Sequence, residues 1–194
     1  MSNVVIIDYG AGNVQSVKFA LERLGVQAVQ SADAEVIKSA DKVIFPGVGE
    51  ARSAMEVITK MGLDKVIPAL EQPCLGICLG MQLMCSFSEE RDTPCLDIFQ
   101  EKVKKFNIQH KVPHMGWNTV SIKDSKLLKG IADNASFYFV HSYYVPVGKY
   151  TIGVSDYGHE FSAIMQKDNF YGCQFHPEKS AINGSKLIKN FLEL

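Results

Sequence analysis

No apolar run in the 194 residues approaches the roughly 20 residues needed to cross a membrane, because Asp8, Glu22, Lys42 and Lys65 interrupt every candidate. Charge of one sign is also lacking. Twenty Lys and Arg against 21 Asp and Glu leave a net charge of −1, so no global positive field gathers nucleic acid or anionic lipid. The amino-terminal Met1-Ser2-Asn3 carries no basic segment and the apolar run after it is cut by Asp8, which argues against a secretory leader and for a cytoplasmic protein. Cysteine is present five times, an odd number without secretory context, which excludes a disulfide framework. No C-x-x-C pair occurs and no histidine neighbours Cys74, Cys78 and Cys85, so neither zinc nor any other metal or cofactor is expected. Gly10-Ala11-Gly12 has Gln15 where a dinucleotide fingerprint needs its third glycine, and no P-loop is present. Linkers, low-complexity tracts and internal repeats are missing too, leaving one α/β domain over residues 1–194.

The first half alternates short β-rich runs with helical periodicity, the pattern of βαβ units on a parallel sheet. Val4–Ile7, Val26–Val29, Lys42–Phe45 and Cys74–Ile77 read as strands. Asn13 is placed to cap a helix carrying Val17, Ala20, Leu21 and Leu24, ended by Gly25, and further helices fall at Ala51–Lys60 and Leu63–Leu70. The second half carries β-prone runs at Val103–Phe106, Thr119–Ile122, Phe137–His141, Tyr150–Ser155, Ala163–Lys167 and Phe170–Gln174, which predict antiparallel pairing. Lys186–Leu194 closes the chain as an amphipathic helix. The whole predicts a mixed central sheet.

Gly76-Ile77-Cys78-Leu79-Gly80 runs from a strand into a helical pattern Leu79–Cys85, in the manner of a nucleophile elbow. Small residues on both sides permit the sharp turn, and unpaired N–H groups at the start of the helix favour thiolate at Cys78. Gln174-Phe175-His176-Pro177-Glu178 supplies a base with a carboxylate to orient it, leaving one ring nitrogen for the thiol. Pro46-Gly47-Val48-Gly49 offers backbone N–H groups for an oxyanion, with the N–H of Leu79 adding to them. Cys74, Cys85, Cys95 and Cys173 are read as structural.

Together these motifs resemble the class I, triad-type glutamine amidotransferases. That resemblance implies a three-layer, flavodoxin-like α/β fold with a mixed central sheet and added antiparallel strands. It also implies hydrolysis of the glutamine side-chain amide through a thioester on Cys78, with His176 protonating ammonia and Glu178 orienting His176. Gln82, Gly47, Val48, Gly49, Leu79, Ser142 and Tyr143 would hold glutamine or its oxyanion. Ile7–Asn13, Phe45–Gly49, Pro113–Asn118 and Tyr138–Tyr143 are further similar to the glutaminase subunits of imidazole glycerol phosphate synthases. Such subunits form a heterodimer with a (β/α)8-barrel cyclase in histidine biosynthesis, and by resemblance Trp117 and Lys179 lie near that partner. Ser88–Gln100 fits the family pattern least well. The competing readings are the same glutaminase serving another acceptor, such as a surface-sugar pathway, a non-catalytic scaffold, and a cysteine hydrolase or peptidase. A physical argument also points to a partner. Ammonia freed in neutral water is mostly protonated and no longer a nucleophile, and this chain has no evident synthase half.

Overall fold

The computed structural model describes residues 3–10 and 13–194. Met1, Ser2, Ala11 and Gly12, which belong to the amino-terminal reading and to the Gly10–Gly12 and Ile7–Asn13 motifs, lie outside the described residues. The strands are β1 (Val4–Ile7), β2 (Ala28–Ser31), β3 (Lys42–Phe45), β4 (Cys74–Ile77), β5 (Cys85–Ser88), β6 (Thr93–Pro94) and β7 (Phe99–Lys105), followed by β8 (His114–Ile122), β9 (Ala135–His141), β10 (Tyr143–Tyr144), β11 (Thr151–Asp156), β12 (Glu160–Lys167) and β13 (Phe170–Cys173). The helices are α1 (Val14–Arg23), α2 (Ala34–Lys38), α3 (Ala51–Lys60), α4 (Leu63–Val66), α5 (Leu79–Leu83) and α6 (Ala181–Leu192).

Nine strands form one mixed sheet in the order β2-β1-β3-β4-β13-β12-β11-β8-β9. The half from β2 to β13 is parallel and the half from β13 to β9 antiparallel, so β13 belongs to both. Successive side chains of β1 leave opposite faces. Val4 and Ile6 enter a core with Phe137, Phe139, Phe161, Phe175 and the α6 residues Leu187 and Phe191, whereas Val5 and Ile7 enter one with Ile37, Phe45, Ile58 and Leu63. Both faces of β1 and β4 are therefore buried, which explains their unbroken apolar runs. A second, four-stranded sheet, β10-β7-β5-β6, stands beside the main one. Among the described residues no helix is long and apolar enough to cross a membrane.

Sequence periodicity locates β1, β3, β4 and α3 to the residue, the strand expected at Val26–Val29 lies two positions later at Ala28–Ser31, and the structure differs elsewhere in identifiable ways. The helix predicted over Leu79–Cys85 stops at Leu83, because Cys85 starts β5 and pairs with Phe99. The helix predicted over Leu63–Leu70 is α4 followed by a 3-10 turn at Ile67–Ala69, where Pro68 removes a backbone donor. Helix α2 has only five residues, too few for a periodicity, yet Asp33 caps it by accepting from the N–H groups of Glu35 and Val36.

Candidate functional site

The site lies at the carboxyl ends of the parallel strands, where β4 and β13 run side by side with Gly76 paired to Gly172 and Ile77 to Cys173. Each chain leaves its strand at the same edge of the sheet. That register brings Cys78 and His176 together although 98 positions separate them in the chain.

Cys78 has φ 53° and ψ −109°, a left-handed conformation that a side chain rarely adopts and that stores ~1–3 kcal/mol of strain. Its N–H is held by the carbonyl of Cys173 at 2.8 Å and its carbonyl by the N–H of Gln82 at 3.2 Å. The flanking glycines answer to close approach. A Cβ on Gly80 would lie 1.9 Å from the carbonyl oxygen of Phe45, and one on Gly76 would lie 2.8 Å from the N–H nitrogen of Met81. Gly80→Ala therefore forces α5 off β3, and we expect it to destabilise the fold by about 3 kcal/mol, at the upper end of the overpacking range, measured as a lowered urea midpoint.

His176 follows β13, its N–H donated to the carbonyl of Tyr138 on β9 at 2.9 Å and its carbonyl accepting from the Ser180 hydroxyl at 2.7 Å. Pro177 opens a 3-10 turn that swings Glu178 back beneath the ring, so that Nδ1 meets Glu178 Oε1 at 2.8 Å with both side chains almost fully buried. Nε2 is left for the sulfur. Burial lowers the imidazole pKa, but the neighbouring Cys78 sulfur and the hydrogen bond to Glu178 outweigh it and raise the ring well above its ordinary value. The ring is thereby favoured as an imidazolium between the Glu178 carboxylate and the Cys78 sulfur.

Asn13 occupies the N-cap position expected of it, but at φ 74° its side chain makes no capping bond. Instead its Nδ2 donates to Glu178 Oε1 at 2.5 Å. The carboxylate oxygen that orients His176 is thus itself held from the start of α1.

A cleft of about 730 Å³ opens over Cys78 and His176, and Val48, Gly49, Leu79, Gln82, Ser142 and Tyr143 line it. Gly47 lies below, where a Cβ would strike the Gly80 nitrogen at 2.6 Å and the Tyr9 hydroxyl at 2.8 Å. The expected oxyanion donor Leu79 is engaged, its N–H pointing to the carbonyl of Gly47 at 3.3 Å. Both donors of Gln82 are spent as well, on the carbonyl of Tyr143 and on Gln174 Oε1, each at 2.9 Å. Gln174 in turn directs Nε2 to Cys78 Sγ at 3.8 Å. Trp117 stands on the outer side of β8, 56% exposed beside the 63% exposed Met115 and away from the cleft lining. Lys179 is exposed at the cleft edge. Among the described residues no cluster of His, Cys, Asp or Glu is arranged to hold a metal.

Glu90 is a cleft residue that sequence reasoning missed. It sits in the Ser88–Gln100 stretch of weakest resemblance, anchored through Oε2 to the N–H of Ala51 at 2.7 Å, and no motif marks it. Asn13 was assigned only a cap, because spacing shows where a helix starts and not where its first side chain turns.

A cysteine at a strained strand-to-helix turn, a buried histidine–carboxylate pair and a polar cleft define an amidase of the glutamine amidotransferase kind. Residues 5–194 match the family Glutamine amidotransferase class-I, and the chain belongs to that family. Within it the chain is 57% identical over 194 residues to imidazole glycerol phosphate synthase subunit HisH of Bacteroides fragilis strain YCH46, with 98% of this chain and 99% of that one covered. The subunit of the same name from Vibrio cholerae is 48% identical over 200 residues, covering 99% and 98%. A crystal structure of a glutamine amidotransferase superposes with a TM-score of 0.75 at 19% identity over 98% of both chains, a likeness of fold.

Proposed function

We propose that this chain is the glutaminase of an imidazole glycerol phosphate synthase, acting in the cytoplasm as one domain beside a (β/α)8-barrel cyclase. The observation that carries the reading is the meeting of Cys78, His176 and Glu178 under a cleft that fits an amino acid. The Cys78 sulfur attacks the side-chain carbonyl carbon of glutamine, and the C=O electrons move to oxygen. As that tetrahedral adduct collapses, the C–N bond breaks and His176 delivers its proton to the departing nitrogen, giving ammonia and a thioester. Water then attacks the thioester carbonyl while His176 takes its proton, and the C–S bond breaks to free glutamate and restore Cys78. Glu178 holds His176 in the tautomer that keeps Nε2 toward the sulfur.

The oxyanion needs donors near Cys78. Leu79 supplies its N–H once the Gly47 carbonyl turns away, and Val48 and Gly49 line the same wall. Glutamine is a zwitterion, and Glu90 is the carboxylate of the cleft lining that can face its α-ammonium. Glu90→Gln is expected to raise KM for glutamine by about 10–100-fold while changing kcat little, since a charge-assisted hydrogen bond contributes about 1.5–3 kcal/mol to binding. A kcat loss without a KM change would remove Glu90 from that role.

The partner accounts for a product that open water would protonate. The exposed Met115 and Trp117 on the outer side of β8 offer it an apolar contact, and Lys179 at the cleft edge a basic one. Glutamine hydrolysis is measured on the purified chain alone, with the cyclase, and with the cyclase and its ligand. Turnover should rise at each addition, and equal turnover in all three would overturn the coupling.

A further inference from the structure

Two buried histidines lie outside the triad, His114 on β8 and His141 at the end of β9, 3% and 6% exposed. Their rings meet at 2.9 Å, Nδ1 of His114 against Nε2 of His141. His141 Nδ1 lies 2.7 Å from the carbonyl of Tyr143, and Asn118 Nδ2 lies 3.4 Å from His114 Nε2. We propose that His141 and His114 form a relay with locked tautomers that positions the Ser142–Tyr143 backbone over the glutamine cleft. The inference rests on the glutaminase reading for its substrate and on these contacts for its geometry.

The tautomers follow from donor and acceptor counting. A backbone carbonyl only accepts, so His141 carries its proton on Nδ1 and presents a lone pair at Nε2. His114 must then donate from Nδ1, which leaves its Nε2 to accept from Asn118. Every polar contact of both rings is satisfied in this arrangement, and exchanging either tautomer sets two lone pairs or two protons face to face in a buried place. Charging either ring breaks the chain in the same way. Burial draws both rings down, His114 to about 4 and His141 to about 3; for His141 the Tyr143 carbonyl pulls upward while His114 and His176 push down. Both therefore stay neutral through the working range. Packing fixes the planes as well, with His114 stacked on Phe139 at 5.0 Å and on Tyr157 at 4.0 Å between ring centroids.

The far end of the relay is what gives it a use. The Tyr143 carbonyl accepts from His141 on one side and from Gln82 Nε2 on the other, and Gln82 passes to Gln174, whose amide reaches Cys78 Sγ. The cleft wall at Ser142–Tyr143 is thereby tied both to β8 and to the nucleophile by one continuous run of hydrogen bonds. Losing the His114 donor would leave His141 Nε2 buried and unsatisfied, freeing the ring to turn and releasing the wall.

Two measurements test this. Long-range proton–nitrogen correlation spectra of the 15N-labelled full chain should show both rings as neutral Nδ1–H tautomers, and an Nε2–H tautomer or a protonated ring at neutral pH for either would overturn the lock. In the complex with its cyclase, His114→Phe keeps the stacked ring and removes the donor, whereas His114→Asn keeps a donor near the Nδ1 position and removes the ring. Positioning predicts KM for glutamine up by about tenfold in His114→Phe, with kcat altered less than about threefold, and recovery to within about threefold in His114→Asn. If the pair served packing alone the order would reverse, and a wild-type KM in His114→Phe overturns the proposal. Thermal melts of both variants set the folded fraction on which the rates are compared. Failure of the unaltered complex to hydrolyse glutamine would sink the glutaminase reading instead, and the tautomer spectra decide the lock without any turnover.

Discussion

Cys78→Ala should abolish glutamine hydrolysis, lowering kcat by at least about 10⁴-fold, because no other group at the site can form the thioester. Synthesis by the complex from added ammonia should survive, since the substitution touches neither the exposed face of β8 nor the sheet. Cys78→Gly should be equally inactive and yet more stable than Cys78→Ala. At φ 53° an alanine keeps the backbone penalty that the cysteine bears, whereas glycine adopts the conformation freely, a difference of about 1 kcal/mol. Urea midpoints of the two variants measure it. If Cys78→Gly is the less stable of the two, the turn is not strained and the elbow reading loses its physical basis. Hydrolysis retained in either variant would remove Cys78 as the nucleophile.

The elbow was legible because its chemistry demands local sequence. A strand of buried apolar residues, a nucleophile and two glycines must follow one another directly, and Gly76 and Gly80 are required by backbone approaching to within a Cβ's reach. His176 and Glu178 were legible for the same reason, two positions apart across a proline. The strand order was only partly so. Alternation separated the parallel from the antiparallel half, but β13 takes part in both, and its parallel neighbour β4 lies almost a hundred residues earlier. What remained hidden depends on distant side chains meeting. Asn13 turns to Glu178 across 165 positions, Gln82 meets Gln174 across 92, and His114 meets His141 across 27. No periodicity encodes such contacts, and each residue taken alone reads as a cap, a binding amide or a core histidine. The engaged N–H of Leu79 is of the same kind, since a motif names a donor without saying which carbonyl already holds it.

Glu178→Gln tests the orienting carboxylate with almost no change of shape. In the native site Glu178 Oε1 accepts from His176 Nδ1 and from Asn13 Nδ2, so the ring proton sits on Nδ1 and Nε2 is free to exchange a proton with sulfur. A glutamine there has one oxygen and one NH2 group. If the oxygen faces Asn13 and His176, it still accepts, but it carries no charge to sustain an imidazolium. If the NH2 group faces them, it opposes the Asn13 donor and forces the ring to the Nε2–H tautomer, which cannot take a proton from Cys78. Either orientation weakens the thiolate–imidazolium pair. We expect kcat to fall by about 10³–10⁴-fold with KM for glutamine nearly unchanged, because the carboxylate acts on the histidine and not on bound substrate. The two orientations separate in a second variant. If the Asn13 donor keeps the amide oxygen on the ring, adding Asn13→Ala frees the amide to turn its NH2 group to His176 and lowers kcat further, whereas if the NH2 group already faces the ring the double variant loses no more than Glu178→Gln alone. The imidazolium should also be lost, read as a lower midpoint in the His176 nitrogen titration than in the unaltered chain. An unchanged midpoint together with unchanged kcat would show that Glu178 neither charges nor orients the base.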